Sequence, residues 1–183
     1  MANTKWLANQ YLIAFRKNPK YNVTLFVSDM MTNYSLKVPS VSSYRAKSLA
    51  MEKLRGSLES HYAKLRPYVA ELKSVDREGT FHLECEMGVF KGFYIGFSGL
   101  RKGFLEGCRH VISLDGAFLK TMIGGAILNA IGRDGNNQMF PISWAVILGE
   151  NESTWRWFLE KLFQDLGIID GLGWTFISDQ QKV

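Results

Sequence analysis

The stretch "VISLDGAFLK", residues 111–120, places a single acidic side chain in the middle of an apolar segment. Its β-branched and aromatic residues predict a strand, and the nearly continuous apolar run predicts that this strand is buried. A carboxylate that is buried without a partner costs several kcal/mol, so such groups are usually hydrogen-bonded, ion-paired or bound to a metal. We therefore expect Asp115 to find a partner elsewhere in the chain.

The rest of the segment from residue 111 onward predicts three more strands and one helix. Strands are predicted for "GGAILNAIG" and "MFPISWAVIL", with "RDGNNQ" as the hairpin turn between them. "ESTWRWFLEKLFQDLGI" predicts an amphipathic helix capped by Ser153, and "WTFISD" predicts a fourth strand that ends at Asp179. Because proline is tolerated mainly on edge strands, Pro141 predicts that the third strand lies at an edge of the sheet.

This order of elements predicts that two aspartates meet. Three antiparallel strands followed by a crossover helix imply a fourth strand parallel to the first, which would bring Asp115 and Asp179 side by side. Two close carboxylates repel each other, and a divalent cation removes the conflict. Oxygen ligands select Mg²⁺ or Mn²⁺ over zinc, and two such ions could clamp the oxygens of a phosphoryl transfer. In the alternative interpretation, each aspartate only caps a strand and bonds to a turn.

The charge of the chain is unevenly distributed. Residues 1–110 carry 17 Lys/Arg against 9 Asp/Glu, whereas residues 111–183 carry 5 against 8. A basic half suggests an anionic polymer as partner, and an acidic half suggests cation binding. Ordinary solvated surface charge is the alternative explanation.

The amino-terminal part predicts helices. In residues 21–36 the β-branched side chains favour a strand, but the apolar side chains repeat at helical spacing, so of these two alternatives we favour a helix. Two further helices are predicted over residues 42 to about 74, with Gly56 and Pro67 as interruptions. A helix, a short turn and a basic helix together resemble a helix-turn-helix layout, which predicts contacts with DNA phosphates. The side chains predicted to make these contacts are Arg45, Lys47, Lys53, Arg55, Lys64 and Arg66. A helical packing module with a solvated basic face is the alternative.

Residues 79–110 predict a strand, "TFHLECEM", and a glycine-rich connection. "KGFYIGF" begins like an RNA-binding strand signature, but Tyr94, Ile95 and Ser98 do not fit that signature. Cys85 and Cys108 show neither disulfide nor zinc spacing and fit a reducing compartment. No signal peptide and no membrane-spanning segment is predicted.

Three stretches resemble the Mutator-like element (MULE) transposases of plants. They are "ISLDGAFLK", "GGAILNAIGRDGNNQMFPISWAVILGENESTWRWFLEKLFQDLGI" and "FISDQQK". The resemblance is dense over about residues 104–182 and looser over residues 20–100. It implies an α+β fold in which a helical amino-terminal segment precedes an incomplete RNase H-like mixed sheet. The expected domains are a basic helical segment (1–78), a strand with a glycine-rich connection (79–110) and a truncated transposase core (111–183).

The resemblance also implies DDE-type chemistry. In that chemistry, water activated by Mg²⁺ or Mn²⁺ cuts DNA at the element ends, and the freed 3′-hydroxyl attacks target DNA. The family's first acid falls on Asp115 and its second on Asp179, both as catalytic residues and metal ligands. The third, a glutamate on a later helix, has no counterpart before Val183, so we expect an incomplete and inactive site. The other acids between the two aspartates are expected on loops and helix surfaces: Glu150, Glu152, Glu160 and Asp165.

The expected partner is double-stranded DNA, with assembly into a homo-oligomer, a nuclear location and no membrane. The fourth strand is expected to be an unprotected edge of the sheet. One alternative is a non-enzymatic DNA-binding regulator of the far-red-impaired-response type, a group that descends from such transposases. Another is a relic that does not fold stably.

Overall fold

Two separate units, Met1–Lys64 and Leu65–Val183, make up the chain in the computed structural model, which describes residues 3–18, 20–120 and 124–179. The first unit contains helices α1 (Thr4–Lys17), α2 (Val23–Tyr34) and α3 (Ser40–Ala63). The second unit contains α4 (Leu65–Val75), α5 (Ser98–Gly107) and α6 (Glu152–Leu166). Its strands are β1 (Thr80–Glu86), β2 (Val89–Gly96), β3 (Cys108–Phe118), β4 (Ala126–Asp134), β5 (Met139–Ile147) and β6 (Thr175–Ser178).

The three helices of the first unit enclose an aromatic core of their own. The side chains of Asn3 and Asn22 cap α1 and α2 by accepting backbone N–H bonds of 2.8 and 2.9 Å. The core joins α1, α2 and α3 through Tyr11, Phe26 and Ala50, all of which are fully buried. The helix predicted over residues 21–36 is confirmed as α2, whereas α1 was not predicted.

The predicted interruptions in the next helices are displaced. Helix α3 continues through Gly56, which faces open space, and ends at Ala63, with Lys64 as its C-cap. Pro67 lies in the first turn of α4, where its missing N–H removes no intrahelical bond. As a result, α3 belongs to the first unit and α4 to the second. The division after Lys64 differs from the predicted boundaries at residues 78 and 110.

The second unit is built on a six-stranded mixed sheet in the order β1-β2-β5-β4-β3-β6. The strand pairs β3–β4 and β4–β5 are antiparallel, and β6 pairs with β3 in parallel after the crossover helix α6. The mixed α+β fold and its predicted succession of three antiparallel strands, a helix and a parallel strand are therefore confirmed. The glycine-rich connection is more ordered than predicted, because it forms β2 and α5.

The prediction that Pro141 marks an edge strand is wrong. Strand β5 lies inside the sheet, between β2 and β4. The ladder with β2 covers only the part of β5 that begins at Trp144, so Pro141 lies beyond it. On the β4 side, the register shifts at Ala130/Ile131, next to the pair between Ile131 and Pro141. A proline is compatible with an interior strand at such a position, because no ladder bond needs its missing N–H.

Helix α6 packs its apolar stripe against one face of the sheet. Phe158 and Leu162 are fully buried in the same cluster as Leu128 on β4. The helix is capped by Asn151 and not by Ser153 as predicted: the Asn151 side chain accepts the Thr154 N–H, and the Thr154 hydroxyl accepts the Asn151 N–H. This capping box fixes the residue at which α6 begins.

Asp165 is buried, so its predicted place on the surface of the helix is wrong. Its side chain is only 4 % exposed and forms an ion pair with Arg101 from α5. The same carboxylate accepts hydrogen bonds from the Thr80 hydroxyl (2.6 Å) and the Tyr94 hydroxyl (3.1 Å). Burial, and then the nearby Asp165 charge, raise the pKa of Tyr94. One carboxylate thus ties β1, β2 and α5 to α6.

Candidate functional site

Asp115 is exposed, so the prediction of a buried carboxylate that needs a partner is wrong. Only Ile112 is buried within β3, and Leu114 is partly buried against the core beneath α6. Successive side chains on a strand point to opposite faces, so Asp115 lies on the face away from α6. The apolar run thus reflects a strand with one buried face, and Asp115 pays no burial cost.

The structure brings Asp115 and Asp179 together, as predicted. In the parallel ladder between β3 and β6, Leu114 is opposite Ser178, and each aspartate is the next residue along its strand direction. Ile177 is opposite Ser113, so the alternation puts Asp115 and Asp179 on the same face. Both side chains are exposed. Their catalytic and metal-binding roles remain predictions.

A pocket of about 420 Å³ lies at these strand ends. It is lined by Leu114, Asp115, Gly116, Glu150, Trp155, Leu159, Ser178 and Asp179. The pocket is thus bordered by the two predicted aspartates, by Glu150 and by Ser178. Gly116 and Ser178 alternate with the aspartates along their strands, so the Glu150 carboxylate lies on the α6 face of the sheet and the aspartate side chains lie on the other face. Its apolar wall comes from the first turns of α6 and from β3.

Glu150 lies in the loop between β5 and α6, as predicted, and this loop lines the pocket. The indole N–H of Trp155 donates a hydrogen bond of 3.0 Å to Glu150 Oε1. A Cβ atom built on Gly116 would lie 2.7 Å from the same oxygen, so the carboxylate rests directly against β3. Residue 116 can be no larger than glycine without displacing it.

The topology explains why these acids lie at the same end of the sheet. Strands β3 and β5 are both antiparallel to β4, and β6 is parallel to β3, so all three run in the same direction. The carboxyl ends of these three strands therefore lie at the same end of the sheet. Asp115 lies near the end of β3, Glu150 follows β5 by three residues, and Asp179 directly follows β6. This shared direction was readable from the predicted strand order, and it would have identified Glu150.

Asn129 is a second residue that the sequence analysis missed. It is directly opposite Asp115 in the β3–β4 ladder and directly opposite Trp144 in the β4–β5 ladder. Side chains opposite each other in antiparallel strands share a face, with Cβ atoms about 4.5–5.5 Å apart. Asp115, Asn129 and Trp144 therefore form a row across the face that α6 does not cover. Only the register could reveal this row.

The donor atoms in the pocket fit a hard divalent cation. Carboxylate and hydroxyl oxygens are the ligands that Mg²⁺ and Mn²⁺ prefer, and no sulfur or imidazole lines the pocket. Within residues 3–18, 20–120 and 124–179, no group of three or more His, Cys, Asp or Glu side chains is close enough to hold a metal ion. The pocket therefore contains suitable donor atoms, but its three carboxylates are not arranged around a single ion position.

The six cations predicted to contact DNA do not share one face. On α3, Arg45 and Arg55 lie on the outward face, whereas Lys47 and Lys53 flank opposite sides of the buried stripe, about a third of a turn apart. Lys53 donates a hydrogen bond of 3.0 Å to the Asn9 side chain. The other two cations, Lys64 and Arg66, lie on either side of the division between the units. The predicted DNA contacts remain untested.

Most of the excess positive charge lies in the first unit. Residues 1–64 carry 10 Lys/Arg and 3 Asp/Glu, a net charge of +7. Residues 65–183 carry 12 Lys/Arg and 14 Asp/Glu, a net charge of −2. The positive charge is therefore concentrated in the three-helix unit, and the carboxylate pocket lies in the weakly acidic one.

Comparison with known families gives a match for the carboxyl-terminal part of the second unit. Residues 111–183 match the model of the MULE transposase domain. Curated proteins and solved structures give no significant match. Among the described residues, no helix is long and apolar enough to cross a membrane. The matched segment begins in β3 and contains Asp115, Glu150 and Asp179, so this part of the chain is similar to the MULE transposase domain.

Proposed function

We propose that this chain contributes the first part of a transposase active site that cuts double-stranded DNA by metal-dependent phosphoryl transfer. The observation that carries the proposal is the β3–β6 register, which sets Asp115 and Asp179 next to each other within the segment that matches the transposase domain. RNase H-like architecture, DDE chemistry, strand transfer by a freed 3′-hydroxyl and a plant source belong to this proposal. So does a nuclear location, because the substrate is chromosomal DNA.

In this proposal Asp115 and Asp179 hold Mg²⁺ or Mn²⁺. When bound, the ions supply Lewis-acid activation of water and stabilise the charge that develops on the phosphate. Because both aspartates are exposed at the end of the sheet, a DNA phosphate can reach them without any opening of the core. Asn129, opposite Asp115, is placed to orient that carboxylate.

The test is nicking of a supercoiled plasmid, because it needs no knowledge of the terminal repeats. Because only two of the family's three acids are assigned, we expect any nicking to be weak, to need Mn²⁺ or Mg²⁺, to stop in EDTA, and to be abolished in Asp115→Asn and in Asp179→Asn. Glu160→Gln, an exposed acid on α6 outside the pocket, is the matched control. Undiminished nicking by either aspartate variant would contradict the assignment.

A second function, DNA binding without catalysis, is supported by the net charge of +7 on residues 1–64. Such a protein would act as a regulator of the far-red-impaired-response type. It should bind a DNA duplex in EDTA, and Asp115→Asn should leave its affinity unchanged. Metal-dependent nicking by the wild-type protein would favour the first proposal.

The salt dependence of binding tests the predicted cations. Replacing Arg45 and Lys47 with Ala should reduce the slope of log affinity against log salt by about 0.9 for each DNA phosphate that the variant no longer neutralises. Arg156→Ala, an exposed cation on α6, is the matched control. An unchanged slope would favour the packing interpretation of α3. Assembly into a homo-oligomer, a further part of the proposal, is tested by light scattering with and without DNA.

A further inference from the structure

The face of the sheet that carries Asp115 also carries two arginines that lie opposite each other. Arg109 on β3 and Arg133 on β4 are Cα partners in the antiparallel ladder, and both are exposed. Side chains opposite each other in such a ladder have Cβ atoms about 4.5–5.5 Å apart, and like charges in this arrangement destabilise the sheet. Within residues 3–18, 20–120 and 124–179, neither arginine forms an ion pair. Two positive charges thus face each other without an acidic partner from the described part of the chain.

A shift in the register of β3 and β4 creates this pair of arginines. Ser113 is opposite Ile131, so a regular ladder would place Val111 opposite Arg133. The shift between residues 109 and 113 brings Arg109 to that position instead. Irregularities of this kind redirect side chains and are over-represented next to functional sites. The sheet therefore departs from regular pairing at the point where the departure brings two like charges together.

The arginines lie on the same face as the aspartates. A Cβ on Gly132 would meet the Phe104 ring in the core, so the next residue of β4, Arg133, points away from the core. Asn129, four residues earlier on β4, shares this face and is opposite Asp115. Four residues of a strand span about 13 Å. One face of the sheet thus has a pair of acids and a pair of bases about 13 Å apart along β4.

The guanidinium groups suit a phosphate of a DNA backbone. Arginine presents five N–H donors in a planar fork, and Arg133 donates one hydrogen bond of 3.1 Å to the Asn137 carbonyl in the turn after β4. That bond leaves the other donors of Arg133 for a ligand. A phosphate between the two arginines would remove their repulsion, as a cation would between the aspartates. The spacing also suits DNA, because about 13 Å corresponds to roughly four nucleotides along one strand at about 3.4 Å each.

We propose that Arg109 and Arg133 bind a backbone phosphate of the same DNA duplex whose cleaved phosphate lies at Asp115 and Asp179. This inference rests on the proposed function and deepens it, because it sets the path of the duplex along β4, on the face away from α6. Both arginines bind the substrate and take no part in the chemical step.

Binding of a short DNA duplex to the full chain in EDTA, measured by fluorescence anisotropy at a series of salt concentrations, tests this contact without reference to activity. Arg109→Gln and Arg133→Gln should each weaken binding severalfold. Together they should reduce the slope of log affinity against log salt by about 0.9 for the phosphate that the two arginines share. Arg109→Lys, which keeps the charge, should retain most of the slope. Arg156→Gln, an exposed arginine on α6 and so on the opposite face, is the matched control and should leave the slope unchanged.

A second variant tests whether the duplex reaches the aspartates. Without a cation the aspartates repel a nearby phosphate, so Asp115→Asn should tighten DNA binding in EDTA severalfold. This gain should disappear when Arg109 and Arg133 are both replaced by Gln, because that protein no longer holds the duplex along β4. Glu160→Gln, which removes an exposed acid on α6, should leave the DNA affinity unchanged. Urea unfolding checks the fold of each variant, and Arg109→Gln should not lower the urea midpoint, because it removes a repulsion.

The outcomes separate the inference from the function on which it rests. An unchanged salt slope in the double arginine variant, or a wild type that does not bind the duplex, overturns the inference. The proposed function would stand in that case if the wild type nicks plasmid DNA and Asp115→Asn does not. A reduced slope without a gain of affinity in Asp115→Asn also overturns the inference, because the bound duplex would then not reach the aspartates. A reduced slope together with that gain supports the path along β4, even if Asp115→Asn nicks like the wild type and the proposed catalytic role fails.

Discussion

The two ends of the sheet use aspartate in opposite ways. At the β1–β2 end, Asp165 is 4 % exposed and is satisfied by Arg101, Thr80 and Tyr94. At the β3–β6 end, Asp115 is exposed and lies beside a second aspartate across a parallel ladder. A buried, fully paired carboxylate holds elements together, whereas an exposed pair with the same sign of charge costs stability and gains a use only when something positive binds.

The largest effect on stability should come from the β1–β2 end of the sheet, where Asp165 is buried and paired. Asp165→Asn leaves Arg101 without its ionic partner in a partly buried site and should lower the free energy of unfolding by about 3 kcal/mol. Urea unfolding followed by tryptophan fluorescence measures it, because four of the five tryptophans lie in the second unit. Glu160→Gln on the same helix should change the free energy by less than about 0.5 kcal/mol. Equal losses of unfolding free energy in the two variants would mean that Asp165 stabilises the fold no more than an exposed acid does.

Two glycines provide the next comparison. A Cβ on Gly132 would lie 2.4 Å from the Phe104 ring in the core, so Gly132→Ala should cost about 2 kcal/mol. A Cβ on Gly116 would meet only the end of the Glu150 side chain, which can rotate away, so Gly116→Ala should cost less than about 0.5 kcal/mol. The same urea titration measures both. If Gly116→Ala lowered the free energy of unfolding more than Gly132→Ala, the β3–β6 end of the sheet would be packed as tightly as the core.

A smaller effect concerns pH. A hydrogen bond from the Ser98 side chain is the main cause that lowers the pKa of Asp76, and its Oδ2 also accepts the Ser98 N–H at the start of α5. A carboxyl whose pKa is lower in the folded state stabilises the fold above its unfolded pKa of about 3.9, and this contribution disappears as the pH falls through the folded pKa.

The Asp76 contribution can be isolated with one variant. The free energy of unfolding of the wild type should fall more steeply between pH 5 and acid than that of Asp76→Asn, which keeps an acceptor oxygen but has no charge to lose. Urea titrations at a series of pH values give both curves. Parallel curves would show that other carboxyls account for the acid sensitivity.

The smallest effect on stability should come from the proposed site itself. Asp115→Asn removes one of two neighbouring exposed charges, so the free energy of unfolding should stay within about 0.5 kcal/mol of the wild type or rise slightly. Urea titration in EDTA provides the measurement. A loss above about 1 kcal/mol would mean that Asp115 has a structural role, as in the alternative interpretation of a strand cap.

The sequence predicted the strands and the helix from residue 111 onward because their apolar periodicities are strong and their connections short. It could not predict that β5 is interior, because β2 comes from the glycine-rich segment, which has little periodicity. Likewise, the burial of Asp165 depends on Arg101 and Thr80, which are distant in sequence. Asp115 was found for the wrong reason: its strand has one exposed face, and only the register distinguishes such a strand from a fully buried one.

Strand β6 is attached to the sheet by four residue pairs with β3, and within the described residues it has no other neighbouring strand. The two aspartates are 64 positions apart along the chain, so their proximity depends on the docking of this short strand. Edge strands of this kind open locally without global unfolding. A cation that bridges β3 and β6 would raise the free energy of local opening of β6 by the free energy of its own binding, and hydrogen exchange in β6 would become slower. Metal binding and the pairing of β6 with β3 would then stabilise each other, so a variant that weakens this pairing should also bind the metal more weakly.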